Sequence, residues 1–400
     1  MQSFVRVLRE SDPTGERFEL HSRESKDEAI GAFYAGIVHH FAPLQGWIYR
    51  WSDTRPGPRV AAWTAPHLLR EAREMLAETR PDLILCTHFL LTMQLARARR
   101  ALGLDVPLVM AIPDYGVTTR SFYPHAPSLR ADQLLVMSDE TRADLVENKG
   151  CEPSRVHVSG FLTREPFAQV GRRLAAAADR GAERIALRRE ARARMPELAG
   201  LVPERPTAVF LGGSAWTAKT EPVLQALLAR AELQERLNLV VVCGKDEAFA
   251  ARLRARAAPH LSVLGYVSGE QMATVMGMAD VPVLGSLAPA TMQELLEVQC
   301  GPLLLYRFIP GAETPHAGYI ERQGVGLYEP DAGRMVGHVL AALGLAAPQE
   351  PLPPRLSSFP SAAARIRADS RRRAQELPDV LSRVLPARAD LVGVPRRRTA

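Results

Sequence analysis

Four hundred residues, 46% of them apolar and 24% charged, exceed what one simple hydrophobic core organises, so two domains are the starting expectation. The formal net charge is +6, carried almost wholly by arginine. No basic–aromatic motif accompanies it, which argues against a nucleic-acid partner and leaves a mild attraction to an anionic membrane surface. Cys86, Cys151, Cys243 and Cys300 lack CxxC or CxxH spacing, which sets aside zinc and a disulfide framework and points to a reducing cytoplasm.

In chain order, residues 1–20 are charged throughout, unlike a secretory leader, and no later run has the length of a membrane span. Residues 31–51 gather Phe33, Tyr34, Phe41, Trp47, Ile48, Tyr49 and Trp51 with His39 and His40. That cluster reads either as a helix packed on the N-terminal domain or as an apolar surface facing an acceptor or membrane. Short, continuously apolar runs predict buried strands at 82–86, 107–112, 133–137, 155–159, 207–211, 237–243, 261–264, 281–284 and 302–306. Helical patterns fall between them at 65–79, 140–148, 221–231, 246–257 and 291–299. Strand alternating with helix is the signature of parallel α/β layers.

Residues 165–206 break this rhythm. They are helical, rich in arginine (Arg184, Arg188, Arg189, Arg192, Arg194) and end on Pro203 and Pro206, which reads as an interdomain connection. Beyond about residue 345 the chain turns Pro- and Arg-rich, with one helix expected around 361–377. The expected organisation is a Rossmann-like domain over 1–165, a helical connection over 166–206, a second Rossmann-like domain over 207–345 and a tail over 346–400.

The loops after the expected strands carry the chemistry. Gly212-Gly213-Ser214 follows a strand and precedes a helix, a turn whose exposed N–H groups suit a phosphate, although such turns are often only structural. Gly244 with Lys245, then Gly265-Tyr266-Val267, then Gly285-Ser286 follow further strands, and Glu313 follows the last. Thr291 and Glu294 open a helix, where T-x-x-E also reads as a capping box. In open parallel sheets, ligands bind at the carboxyl ends of strands, where all these loops lie.

The order and spacing of these pieces resemble the monogalactosyldiacylglycerol synthases and processive diacylglycerol glucosyltransferases, and more distantly the N-acetylglucosaminyltransferase of the lipid-linked peptidoglycan precursor. The matching stretches run from about Pro81 to Leu327. They include Arg80-Pro-Asp-Leu-Ile-Leu-Cys-Thr-His88, Ile112-Pro-Asp-Tyr115, Phe210-Leu-Gly-Gly213, Leu264-Gly-Tyr266, Thr291-Met-Gln-Glu294 and Tyr306-Arg-Phe-Ile-Pro-Gly-Ala-Glu313. The resemblance implies two facing Rossmann-like domains of the GT-B type, acceptor on the N-terminal side and UDP-sugar on the C-terminal side. It implies hexose transfer with inversion to a diacylglycerol-like lipid; the abundance of Ala, Arg and Pro reads as bacterial, and the expected location is the cytoplasm or, peripherally, the inner face of the plasma membrane. By the same resemblance Gly212, Gly213 and Ser214 line the diphosphate, with Gly244 and Thr291 nearby. Tyr266 and Val267 meet uracil, Glu294 the ribose, and Glu313 and His316 the sugar. No metal or other cofactor is required if helix dipoles and N–H groups hold the diphosphate.

Three departures stand out. The family's opening strand and G-x-G-H loop are missing from 1–26, so either the start of the chain is misplaced or the first domain lacks its first strand–loop–helix unit. The phosphate loop is Gly285-Ser-Leu-Ala-Pro-Ala290, poorer in glycine and with a proline that removes one N–H. The Gln and Asn expected around the sugar are Ala312 and His316. In place of the missing histidine, His88 and Asp114 are the base candidates by position; their alternatives are a structural strand-end histidine and a turn cap. Besides hexose transfer, the pattern admits a non-catalytic binding or regulatory relative and a nucleotide-sugar epimerase.

Overall fold

The computed structural model describes residues 2–12, 20, 42–213, 217–346 and 353–384. They divide into two compact units. The first takes 2–12, 20, 48–162 and 370–384 of the described residues, and the second takes 42–47, 163–213, 217–346 and 353–369.

The first unit contains α1 (Gln2–Ser11), the end of α2 (Ala42–Ser52), α3 (Gly57–Trp63), α4 (Pro66–Thr79), β1 (Ile84–Cys86), α5 (Phe89–Ala101), β2 (Leu108–Ile112), β3 (Gln133–Val136), α6 (Asp139–Ala143) and β4 (Val156–Val158). Its strands pair in parallel in the order β1-β2-β3-β4. β2 is buried on both faces, which is why it reads as an unbroken apolar run. Leu108, Met110 and Ile112 share a core with Ala72 and Leu76 of α4 and Leu95 and Ala98 of α5. Val109 and Ala111 face the other way, into a cluster with Phe4 and Leu8 of α1 and Leu377 and Leu381 of the C-terminal helix. No strand precedes β1 among the described residues. The helix expected over 140–148 begins under a Ser138 cap and continues beyond α6 as a π-helical turn over Asp144–Asn148. There Asp144 turns inward and accepts from the Thr118 amide and hydroxyl, each at 2.8 Å.

The second unit contains α7 (Glu165–Ala176), α8 (Arg180–Arg194), β5 (Thr207–Leu211), α9 (Glu221–Leu228), β6 (Asn238–Val242), α10 (Glu247–Arg254), β7 (Leu261–Leu264), α11 (Gly269–Met278), β8 (Val281–Leu284), α12 (Pro289–Glu297), β9 (Leu303–Leu305), α13 (Thr314–Arg322), β10 (Gly326–Tyr328), α14 (Ala332–Ala342) and the start of α15 (Phe359–Val384). Its six strands are parallel in the order β10-β9-β8-β5-β6-β7. The chain enters at the centre, builds outward to β7, then returns beside β5 as β8. That reversal makes a topological switch point between β5 and β8, and such sheets bind ligands in the crevice outside their carboxyl ends there.

Two expectations need correction. Residues 166–206 do not merely connect domains; α7 and α8 belong to the second unit. Arg188 is buried, donates to the carbonyls of Met278 at 3.0 Å and Pro203 at 3.1 Å, and pairs with Asp280. Asp280 in turn accepts from the Thr207 amide at 2.7 Å, tying the helix to the first strand of the sheet. Within 346–400, the expected helix is longer than 361–377, spanning Phe359–Val384 with Pro378 inside it.

Candidate functional site

At the switch point β5 runs into Gly212 and Gly213. Gly213 holds φ at +62°, a conformation that disfavours side chains, and a Cβ built there meets nothing within 4 Å. Ser214 lies outside the described residues. The Gly285 amide donates to the Leu211 carbonyl at 2.7 Å, so the exits of β5 and β8 are tied side by side. α12 then opens on Pro289 with Ala288 as N-cap. At this first helical position the missing N–H has no intrahelical role, so the helix loses nothing. Thr291 sits half-buried inside the first turn. It is therefore not an N-cap, and T-x-x-E is not a capping box; the box of this sheet edge is Ser268 with Gln271, at the head of α11.

Glu294 is 2% exposed and accepts a bidentate pair from Arg164, Nε to Oε1 at 2.6 Å and Nη2 to Oε2 at 3.0 Å. Burial raises the Glu294 pKa, and Arg164 works against that rise. The Arg164 guanidinium also lies over the Phe167 ring, 4.7 Å from its centroid. Tyr266 is 75% exposed on the loop between β7 and α11, with Val267 half-buried beside it. Gly244 turns at φ +60° beyond β6.

Glu313 precedes α13 and is 5% exposed. Its Oε1 accepts from the Ser286 hydroxyl at 2.6 Å; its Oε2 accepts from the amides of Leu287 at 3.0 Å and Ile309 at 2.8 Å. His316, buried one turn on, places Nδ1 3.1 Å from the Leu287 carbonyl. That partner can only accept, which assigns the proton to Nδ1. Every described residue named at this sheet edge thus lies on a loop after a strand or in the first two turns of the next helix. The two carboxylates are already engaged by the chain itself. Sequence reasoning missed Arg164, and it named Ser286 without its bond to Glu313; these partners lie 130 and 27 residues away, beyond any local pattern.

In the first unit, Cys86 pairs with Met110 in register, so His88 and Asp114 both leave the carboxyl edge of the sheet. His88 is exposed and caps α5, its Nδ1 accepting from the Leu91 amide at 3.4 Å. Its ring stacks on Phe89, and desolvation by its surroundings lowers its pKa, favouring the neutral imidazole. Asp114 is half-buried, and its carbonyl accepts from the Thr141 hydroxyl at 3.3 Å. Of residues 31–51, only 42–51 are described; Phe33, Tyr34, His39, His40 and Phe41 fall outside, and Trp47 is 55% exposed.

Comparison with known proteins places this geometry. The family model for monogalactosyldiacylglycerol synthase matches residues 19–162. A probable monogalactosyldiacylglycerol synthase 2 of Oryza sativa is 25% identical over 190 residues, covering 46% of this chain and 35% of the relative. The processive diacylglycerol beta-glucosyltransferase of Bacillus subtilis is 23% identical over 262 residues, covering 64% and 58%. The chain thus spans less than two thirds of the length of either. Among solved structures, WaaG, a glycosyltransferase involved in lipopolysaccharide biosynthesis, superposes with a TM-score of 0.50 at 13% identity, over 96% of this chain and 95% of that one. At such identity the likeness speaks to fold. Two parallel α/β units, one with a central switch point, together with these matches, show the GT-B glycosyltransferase fold in a chain similar in sequence to the monogalactosyldiacylglycerol synthases and diacylglycerol glucosyltransferases.

Proposed function

We propose that the chain moves a hexose from a UDP-sugar to a diacylglycerol-like lipid with inversion. The observation that carries this reading is the turn at the switch point, where Gly213 is open beyond the buried Gly212, with the first turn of α12 following the neighbouring strand. Backbone N–H groups on a strand exit and a helix N-terminus suit a diphosphate, and need no metal to hold it. Tyr266 and Val267 would meet the base, Gly244 and Thr291 flank the diphosphate, and Glu294 would accept the ribose hydroxyls. In the transfer the lipid hydroxyl attacks the anomeric carbon opposite the departing UDP, and its proton passes to a base, His88 or Asp114. For His88 to use Nε2 in that role, the proton has to move from Nε2 to Nδ1, which also releases its cap to Leu91.

A peripheral membrane contact accompanies the reading. Trp63 is 78% exposed and Val60 42% exposed on α3, with Arg55 and Arg59 exposed next to them, a pairing that suits an anionic lipid surface. Among the described residues no helix is long and apolar enough to cross a membrane.

The test is incubation of purified protein with labelled UDP-hexoses and diacylglycerol in anionic vesicles, followed by lipid extraction and determination of the anomeric configuration. Labelled glycolipid of inverted configuration is expected. A second reading, a non-catalytic nucleotide binder, draws on Glu294 and the Leu287 amide being engaged within the chain. UDP-dependent thermal stabilisation with no lipid labelling would select it, and no stabilisation by UDP or UDP-hexoses would sink both readings.

A further inference from the structure

We infer that Glu313 and His316 are positioning residues that lock the 285–288 loop, and that they are not the groups that recognise the sugar hydroxyls. Beyond Gly285 the loop has no glycine to let its backbone approach a phosphate freely, and its conformation has to be imposed from outside. Both faces of the Leu287 residue are gripped by the start of α13. Glu313 takes its N–H at 3.0 Å, and His316 meets its C=O at 3.1 Å. The same carboxylate takes the Ser286 hydroxyl at 2.6 Å and the Ile309 amide at 2.8 Å, joining the loop after β8 to the loop after β9.

A carboxylate has about four lone-pair directions. Three are filled here by the chain, and the group is almost wholly buried. The fourth, on Oε1, belongs to that buried group, so a sugar hydroxyl reaches it only if the loop around it shifts. The Leu287 N–H, turned to Glu313, is withdrawn from phosphate binding. The donors that remain for a ligand on this side include those of Ala288, Ala290 and Thr291, which follow directly on the clamped residue.

The amide variant separates the two roles. In Glu313→Gln the carbonyl oxygen can keep both N–H groups that Oε2 now accepts. Its NH2 can donate to Ser286, whose hydroxyl turns to accept. Glu313→Ala removes all three bonds. Hydrogen exchange at the Leu287 amide, which needs no ligand, is the first readout. It should be protected in the wild type and in Glu313→Gln, and exchange at least about tenfold faster in Glu313→Ala. Equal exchange in wild type and Glu313→Ala overturns the clamp.

The second readout rests on the UDP-sugar reading of the site. Glu313→Ala should weaken UDP and UDP-hexose alike, by about tenfold or more, and Glu313→Gln should restore both. Loss confined to UDP-hexose, with UDP unchanged, makes Glu313 a sugar ligand and overturns the inference. If wild-type protein binds neither nucleotide, the proposed function fails while the exchange result still decides the clamp.

Discussion

Glu294 and Arg164 divide a cost unequally: the carboxylate is buried, whereas about half of the Arg164 side chain stays in water. Removing the arginine leaves a buried carboxylate without its cation. A fully buried pair loses about 3–5 kcal/mol when one partner is removed, and the solvated half of Arg164 brings the expectation for Arg164→Ala down to about 2 kcal/mol at pH 7. Burial raises the Glu294 pKa above the ordinary 4.5, so the folded state holds this proton more tightly than the unfolded chain. The stabilising effect of that proton is complete below the unfolded pKa and disappears as pH rises through the folded one. Loss of Arg164 lifts the folded value further. Urea unfolding should therefore show wild type and Arg164→Ala converging near pH 4 and separating toward pH 7; a gap independent of pH would refute this account. The resemblance pointed to Glu294 and Glu313, and both lie at the expected sheet edge. What each touches was not legible, because Arg164 reaches Glu294 across 130 residues and no spacing encodes that meeting.

At the scale of elements, the strands were the legible part. Parallel strands covered on both faces are apolar throughout, so nine runs stood out, with ends within two residues of those observed. β10 escaped because Gly326-Leu-Tyr328 is only three residues long and opens on glycine. α7 and α8 were read as helices but given the wrong place, since arginine density looks solvated whether or not one arginine turns inward. How tightly they pack is visible at two glycines. A Cβ on Gly171 of α7 would lie 2.5 Å from the Glu297 carbonyl oxygen of α12, a backbone atom. On Gly277 of α11 it would lie 2.4 Å from Val170 Cγ1, a side-chain methyl rather than a backbone atom. Gly171→Ala should cost about 2–3 kcal/mol and Gly277→Ala distinctly less, measured by chemical denaturation. The reverse order would show that the α7–α12 contact yields more readily than the side chain does.

Across the whole molecule, the two units differ in how their chain is gathered. The sheet of the second unit is built from one run, β5 to β10, and its main core draws on residues from Ala208 to Leu356. The first unit is assembled from distant pieces: Phe4 and Leu8 share a cluster with Val109, Ala111 and Leu135, and also with Leu377 and Leu381. Gly160, beyond β4, lies where a Cβ would be 2.9 Å from the Ser370 Cα, so the same helix is seated closely on this unit.

That C-terminal helix imposes a timetable on synthesis. Domains commonly fold as they leave the ribosome, the N-terminal one first. Here one face of the earlier unit waits for Leu377 and Leu381, the last fully buried side chains of its cluster to be translated, while the later unit has its main core complete at Leu356. Nascent chains stalled with residue 365 just outside the exit tunnel should resist protease across β5–β10 yet be cut readily within α1. Extending them past residue 384 should protect α1. Protection of α1 in the shorter chains would mean that the face closes without its final helix. Until that helix arrives, Val109, Ala111 and Leu135 form a sticky surface that a nascent-chain chaperone is suited to shield.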